Sequence, residues 1–86
     1  MNDLLDILIE IINKNLKELD INLKVNKDFI LIGPESELES IIIVTLLASI
    51  EDDLQFKYEI QTDLFELINR LTYDNITIEN IASEMN

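Results

Sequence analysis

The fold is inferred from one stretch of the sequence, Leu31-Ile32-Gly33-Pro34-Glu35-Ser36-Glu37-Leu38-Glu39-Ser40-Ile41-Ile42-Ile43-Val44. It holds the only glycine and the only proline of the 86 residues, then acids and serines, then an unbroken apolar run. Glycine and proline interrupt regular structure, so this order predicts a loop that passes into a helix at about Ser40. The Ser40 hydroxyl either accepts a backbone hydrogen bond as an N-cap or is presented to a modifying enzyme, and a helix N-terminus also favours an added phosphate.

Length and composition exclude several classes of function. A chain of 86 residues buries only about 60–65% of the surface of its unfolded state, so we expect one small domain over residues 1–86. The chain has no cysteine and no histidine. This removes disulfides, thiolate metal sites, cysteine nucleophiles and the usual general base, so we expect neither an enzyme nor a metal site. No secretory signal and no transmembrane segment is visible in the sequence, which favours a cytoplasmic protein.

The charge is strongly acidic and unevenly distributed. The formal net charge is −12; residues 1–27 carry five acids against four lysines, whereas residues 28–86 carry thirteen acids against one lysine and one arginine. Such a field disfavours nucleic acid and anionic membranes as partners and favours rapid, weak docking to basic protein surfaces. Solubility alone explains the same composition equally well.

Apolar residues recur at helical spacing in two long segments. The first is predicted to be a helix of about five turns, capped by Asn2 or Asp3. Residues 20–37 follow as a long ordered loop; its first part alternates between polar and apolar residues like a strand, but no second strong strand lies nearby to pair with it. The second helix should run from about Glu39 to Leu54, with the acids Glu51-Asp52-Asp53 at its far end.

The rest of the chain predicts an extended connector and two short helices. Residues 55–61 alternate in polarity and form the connector, Asp63 and Glu66 resemble a capping box at the start of the third helix, and Thr77 caps the fourth. The consecutive residues 41–44 cannot all face one core, so some of them must be exposed or line a cleft. The predicted core residues are Ile43, Leu46, Leu47 and Ile50, facing Leu8, Ile12, Leu67 and Ile81.

This order of elements resembles the acyl carrier protein family of small acidic helical bundles. Variant carriers have the pattern Leu-x-Gly-x-x-Ser-x-Leu-Asp-Ser-Leu, in which the last serine carries a 4′-phosphopantetheine arm. The segment from Thr77 to Ala82 likewise resembles the Thr-Val-x-x-Leu-Ala with which many carriers begin their last helix. The resemblance covers essentially the whole chain, but its specific part is short, with Glu39 in place of aspartate and Ile41 in place of leucine. The residues of this chain that stand at the defined positions of the carrier pattern from its glycine onward are Gly33, Ser36, Leu38, Glu39, Ser40 and Ile41.

The resemblance implies both a fold and a function. The fold is all-α: a four-helix bundle with a long loop between helices 1 and 2 and a short helix 3. Ser40 would carry the arm, delivered from coenzyme A by a phosphopantetheinyl transferase using magnesium, and the arm would hold an acyl or aminoacyl group as a thioester for a fatty-acid-like or specialised biosynthetic pathway. The protein would be a monomer without catalytic residues, serving acyl-activating or acyl-transfer enzymes with basic docking surfaces. The residues expected to recognise these partners are Glu35, Glu37, Glu39, Ile41, Glu51, Asp52 and Asp53.

A different class of function stays open beside the carrier. An acidic helical adaptor that is never modified would act only by binding other proteins, and Ser40 would then be a plain N-cap. A carrier also needs an apolar crevice for its acyl chain, which we expect at the loosely filled centre of the bundle near the head of the second helix. Ser36, the other serine of the loop, has the spacing of a capping box to Glu39, so we interpret it as structural.

Overall fold

Within the part of the chain that the structure describes, the fold consists of four helices and a two-stranded antiparallel sheet. The computed structural model describes residues 3–85. The prediction of a small, mostly helical protein with a short third helix is confirmed, and the all-α class is amended by the sheet. Within residues 3–85, none of the helices is both long enough and apolar enough to cross a membrane. In chain order the elements are α1 (Leu4–Glu18), β1 (Ile30–Ile32), α2 (Ser40–Tyr58), α3 (Leu64–Arg70), β2 (Ile76–Thr77) and α4 (Ile78–Met85).

Helix α1 begins at a side-chain cap. The Asp3 Oδ1 atom accepts a hydrogen bond of 2.9 Å from the Asp6 N–H, as predicted for a capping aspartate; the alternative cap, Asn2, lies outside the described residues. The 15 residues of the helix make about four turns rather than five. After the helix, Asp20 adopts a left-handed conformation with a φ of 61°. This residue turns the chain away from the helix axis and into the loop.

The sheet joins the loop before α2 to the segment before α4. Ile30 lies opposite Thr77 and Ile32 opposite Ile76. The N–H groups of the first two residues of α4 also donate to carbonyls of the loop, over 3.2 and 3.1 Å. The prediction that residues 20–37 form a loop throughout is therefore wrong, because Ile30–Ile32 form strand β1. Strands of two or three residues are too short to show an alternating pattern, and these two lie far apart in the chain.

Helix α2 is longer than predicted. It spans 19 residues and includes residues 55–58, which the alternating pattern predicted to be extended. Buried Leu54 continues the helical spacing of the core, and the helix ends only at Glu59, whose φ of 57° is left-handed. The acids Glu51-Asp52-Asp53 thus lie inside the helix. They do not face the negative end of the helix dipole, which acts within the last turn.

Both short helices begin at their predicted caps. The Asp63 Oδ1 atom accepts a hydrogen bond of 3.1 Å from the Glu66 N–H at the start of α3. At the start of α4, the Asn80 N–H donates to Thr77 Oγ1 over 3.1 Å, and the Thr77 N–H donates back to Asn80 Oδ1 over 2.9 Å. This reciprocal pair satisfies two N–H groups that the helix itself leaves without partners.

The core lies where α1 packs against α2 and α4. Helix α3 also contacts α2 and α4 and completes the core. The loop also contributes, because Val25 and Leu31 are buried. Of the eight residues predicted for the core, Ile43 is the exception and is only half-buried. The other seven are buried: Leu8, Ile12, Leu46, Leu47, Ile50, Leu67 and Ile81.

Candidate functional site

Ser40 is the first residue of α2, and its side chain is exposed. The N-cap position belongs to Glu39, whose carboxylate makes no capping hydrogen bond. The interpretation of Ser40 as a plain N-cap is therefore wrong, because a capping side chain comes from the residue that precedes the first helical one. An exposed hydroxyl at the end of a long helix is available for chemistry by another protein, and the helix holds it in a defined place.

Ser36 differs from Ser40 in having its hydroxyl engaged. The Ser36 Oγ atom donates to the carbonyl of Leu31 over 2.8 Å and accepts from the Leu38 N–H over 3.2 Å. The residue is half-buried. Its predicted structural role is supported, although it holds the loop together and does not form a capping box with Glu39. Of Ser36 and Ser40, only Ser40 is exposed.

A clasp of two side chains ties the loop before Ser40 to the segment before α4. The Asn75 Oδ1 atom accepts a hydrogen bond of 3.1 Å from the Glu35 N–H, and Asn75 Nδ2 donates to Glu35 Oε2 over 2.7 Å. Gly33 lies against the same segment with a φ of 134°. A Cβ atom at Gly33 would meet Asn75 Oδ1 and would lie 2.5 Å from the Asp74 carbonyl oxygen. Glycine is thus required here by conformation and by space.

A pocket opens beside the head of α2. Its volume is about 270 Å³. Apolar side chains from the loop after α1, Ile21 and Leu23, face Leu38 and Ile42 across it, and Glu37 and Glu39 complete the lining. The apolar crevice was expected at the centre of the bundle; the structure has it outside the core, between the first loop and the residues that flank Ser40.

The acids predicted for partner recognition fall into two groups. Three have partners inside the protein: Glu35 in the clasp, Glu51 through a 2.7 Å bond from the Leu64 N–H, and Asp53 through a 3.4 Å ion pair with Lys14. The others are exposed and include Glu37 and Glu39 beside the pocket. Among the predicted acids, those that are exposed and have no such bond in the described residues are Glu37, Glu39 and Asp52; Glu35 is also exposed, but its carboxylate accepts the bond from Asn75.

A second depression, of about 580 Å³, lies between α2 and α3. It includes Glu51, Asp52 and Asp63, and its other residues are polar. These carboxylates do not converge on one point: no group of three or more acids in the described part of the chain is arranged to hold a metal ion. The depression supplies charge at the surface and no recognisable ligand set.

The outer face of α2 carries exposed apolar side chains. Ile41 is 66% exposed, Val44 50% and Phe56 80%. Ile42 and Ile43 are half-buried. The prediction that the run from Ile41 to Val44 cannot all enter the core is confirmed. Exposed apolar residues bordered by acids are typical of surfaces that bind other proteins.

The interpretation of the site depends on its own residues. No family model, no curated protein and no solved structure matches the chain. Glu37 and Glu39 line the pocket, and Ser40 directly follows Glu39 in the chain, whereas Glu51 and Asp53 lie further along α2 and are bonded to other elements.

Sequence reasoning missed two features of this site. One is the lining of the pocket by Ile21 and Leu23, which lie in the alternating segment after α1 that was predicted to be part of the loop. The other is Asn75, whose partner Glu35 lies 40 positions away. A usable signal was the single glycine of the chain, Gly33, since an isolated glycine in an ordered loop indicates a position that only glycine can occupy.

Proposed function

We propose that the protein is an acyl carrier, with an acyl or aminoacyl group held as a thioester on a 4′-phosphopantetheine arm attached to Ser40. The observation that carries the proposal is the exposed Ser40 hydroxyl at the first residue of α2, within a segment that resembles the attachment motif of carriers. The architecture it requires is a four-helix bundle of the acyl carrier type, and the order and lengths of the helices are compatible with it.

The residues around Ser40 fit a covalent arm. The Ser40 hydroxyl is exposed and is not used as a cap, so a transferase can reach it, whereas the Ser36 hydroxyl is engaged by two bonds within the loop. The arm supplies the terminal thiol that a chain without cysteine lacks. The protein itself supplies the hydroxyl and a rigid surface that presents it.

The pocket beside Ser40 supports a sheltering role. Its apolar walls can remove an acyl chain from water, and each Å² of apolar surface removed stabilises by roughly 25 cal/mol. Its volume of about 270 Å³ exceeds the roughly 150 Å³ of an engineered apolar cavity that binds benzene. Unlike that cavity, this pocket is open to the surface, so it can cover one side of a short or branched acyl group or of part of a longer one.

The surface charge supports docking to several basic partners in turn. Glu37, Glu39 and Asp52 are exposed around the head and the middle of α2. Carboxylates at such positions accelerate encounter with a basic protein surface and contribute little to the lifetime of the complex. Fast, short-lived complexes suit a carrier that must visit a transferase and then acyl-activating or acyl-transfer enzymes.

The experiment that tests the proposal is intact-protein mass spectrometry. The purified protein is incubated with a broad-specificity phosphopantetheinyl transferase, coenzyme A and magnesium. We expect the wild-type protein to gain the mass of one arm, Ser40→Ala to gain none, and the matched variant Ser83→Ala, changed at an exposed serine of α4, to gain one. A mass gain retained in Ser40→Ala would refute the assignment.

A second function is favoured by the exposed apolar residues of α2. An unmodified adaptor would bind a basic partner through Ile41, Val44 and the acids beside them, and would need neither the free hydroxyl nor the pocket. The mass measurement separates the two functions. A wild-type protein that gains no mass with an active transferase and remains unmodified in cells would favour the adaptor.

A further inference from the structure

The clasp between Asn75 and Glu35 is the feature from which a further role follows. Each residue both donates and accepts: the backbone N–H of Glu35 donates to the Asn75 amide oxygen, and the Asn75 amide N–H donates to the Glu35 carboxylate. An asparagine is the residue that suits this arrangement, because an aspartate would place a second carboxylate against that of Glu35.

The clasp lies at the end of the two-stranded sheet. Gly33 directly follows β1 and Asn75 directly precedes β2, so the two bonds continue the contact between the strands by one more step. Gly33 allows the segments to approach so closely that a Cβ atom there would overlap Asn75 and the carbonyl of Asp74. The loop is thereby held against a segment that the sheet and the start of α4 already fix.

From the clasp, a chain of bonds leads towards Ser40. The Ser36 N–H donates to the carbonyl of Gly33 over 3.0 Å, and the Ser36 hydroxyl bonds to the carbonyl of Leu31 and to the Leu38 N–H. The turn of residues 33–36 and the step to Leu38 are thus fixed by hydrogen bonds. Only Glu39 separates this bonded turn from Ser40.

We propose that Asn75 is a positioning residue for Ser40: bonded reciprocally to Glu35, it fixes residues 33–38 and with them the place at which the Ser40 hydroxyl is offered to a transferase. The part that concerns the transferase rests on the proposed carrier function. Glu35 then serves inside the protein and is not one of the acids that recognise partners. Loss of the clasp leaves the helices intact but lets the loop before Ser40 move.

The test uses three variants and one control. Asn75→Ala removes both side-chain bonds. Asn75→Asp keeps the acceptor for the Glu35 N–H but opposes the Glu35 carboxylate, and combining it with Glu35→Gln reverses the direction of the side-chain bond, since the new amide donates to the new carboxylate. Asn69→Ala, at an exposed residue of α3, is the matched control.

Two quantities are measured on each protein. The first is amide hydrogen exchange by NMR at positions 35 and 38, with the amides of Leu8 and Ile12 in α1 as an internal reference for global stability. The second is kcat/KM for transfer of the arm by a purified phosphopantetheinyl transferase with coenzyme A and magnesium.

Asn75→Ala and Asn75→Asp are expected to lose protection at positions 35 and 38, with α1 unchanged, and to lower kcat/KM roughly 10- to 100-fold, as small misplacements of a reacting group do. The double variant Asn75→Asp with Glu35→Gln should restore both quantities, and Asn69→Ala should change neither. Unchanged protection and unchanged kcat/KM in Asn75→Ala would overturn the proposal, as would a double variant no better than Asn75→Asp.

The experiment tests the carrier function and the fixing of the loop by Asn75 independently of each other. If the wild-type protein accepts no arm, the carrier function fails, and the exchange data alone decide whether Asn75 fixes the loop: recovery of protection in the double variant supports it, and absence of recovery overturns it. If Asn75→Ala does not fold, the comparison of Asn75→Asp with the double variant gives the same decision, because both keep the size of the side chain.

Discussion

Glu51 on α2 accepts a hydrogen bond of 2.7 Å at its Oε2 atom from the backbone N–H of Leu64, the first residue of α3. The first N–H groups of a helix have no partners within it, so a carboxylate from another helix completes the start of α3 beside the Asp63 cap. Leu64 itself is fully buried. The Glu51 side chain thus holds α3 against α2, a role that its expected place in a partner-recognition cluster did not suggest.

Removal of this carboxylate should destabilise the protein. We expect Glu51→Ala to lower the free energy of unfolding by about 1.5–3 kcal/mol, the usual contribution of a hydrogen bond to a charged group. Glu51→Gln keeps an acceptor oxygen and should lose less. Asp52→Ala, at the exposed neighbouring residue, is the control and should change the value by no more than about 0.5 kcal/mol. Urea unfolding followed by circular dichroism measures all three, and equal stabilities of Glu51→Ala and Asp52→Ala would contradict the assigned role.

The helices and most of the core could be predicted from local sequence. Asp3, Asp63 and Thr77 were recognised as caps because a cap and its helix are adjacent in the chain. The buried residues of α1 and α2 recur at helical spacing, which a short window of sequence reveals. Among the eight residues predicted to face one another in the core, Ile43 was misjudged, because in a run of four apolar residues the spacing alone does not say which side is covered.

The sheet, the clasp and the pocket could not be predicted because each joins segments distant in sequence. The strand partner of Ile32 is Ile76, and Glu35 meets Asn75; neither pair leaves a local pattern. The end of α2 was misplaced for a different reason. Phe56, Tyr58 and Ile60 alternate as in a strand, but Phe56 is 80% exposed, so this alternation does not correspond to one buried face.

The end of α2 offers a substitution that should stabilise the protein. Glu59 adopts a left-handed conformation with φ 57° and ψ 32°, and the N–H of the following residue, Ile60, bonds to the carbonyl of Leu54 over 3.0 Å. A residue other than glycine in this conformation costs roughly 1–2 kcal/mol, and a negative charge at a helix C-terminus is also unfavourable.

Glu59→Gly is therefore expected to raise the free energy of unfolding by about 0.5–1 kcal/mol, the relief of strain being partly offset by the greater freedom of glycine in the unfolded chain. Glu59→Gln removes the charge but keeps the strain, so it separates the two effects and should gain only about 0.3 kcal/mol. Thermal unfolding of both variants provides the measurement. A glycine variant no more stable than the glutamine variant would show that the strain at this residue does not exceed the entropy that glycine adds to the unfolded chain.

Charge reversal beside Ser40 should slow docking to a basic partner. We expect Glu37→Lys combined with Glu39→Lys to lower the association rate with a phosphopantetheinyl transferase about tenfold or more at low salt, because both carboxylates are exposed and lie within three residues before Ser40. The control carries the same total charge change at exposed residues of α1 and α4, Glu10→Lys with Glu84→Lys.

Association rates are measured by surface plasmon resonance at several salt concentrations. The difference between the two double variants should shrink as the screening length falls, from about 10 Å at 0.1 M salt to about 3 Å at 1 M. If both double variants slow association equally, the acids act through net charge alone. If the association rate changes neither with salt nor in either double variant, the acids serve only solubility.

An acyl chain on the arm should stabilise the protein if the pocket shelters it. Removing about 40 Å² of apolar surface from water contributes roughly 1 kcal/mol, and each kcal/mol raises the Tm of a domain of this size by about 4–8 °C. We therefore expect the form with a medium-length acyl thioester to melt above the form with the bare arm.

Leu23→Ala, which removes part of the pocket wall, should reduce this difference in melting temperature, whereas Val44→Ala, on the exposed face of α2, should leave it unchanged. Calorimetry across a series of chain lengths is the measurement, with each variant compared to its own bare-arm form so that the loss of stability from the substitution cancels. Equal melting temperatures for every chain length would show that the chain stays in water, and would favour a carrier of short or polar acyl groups such as an amino acid, because such groups gain little from apolar burial.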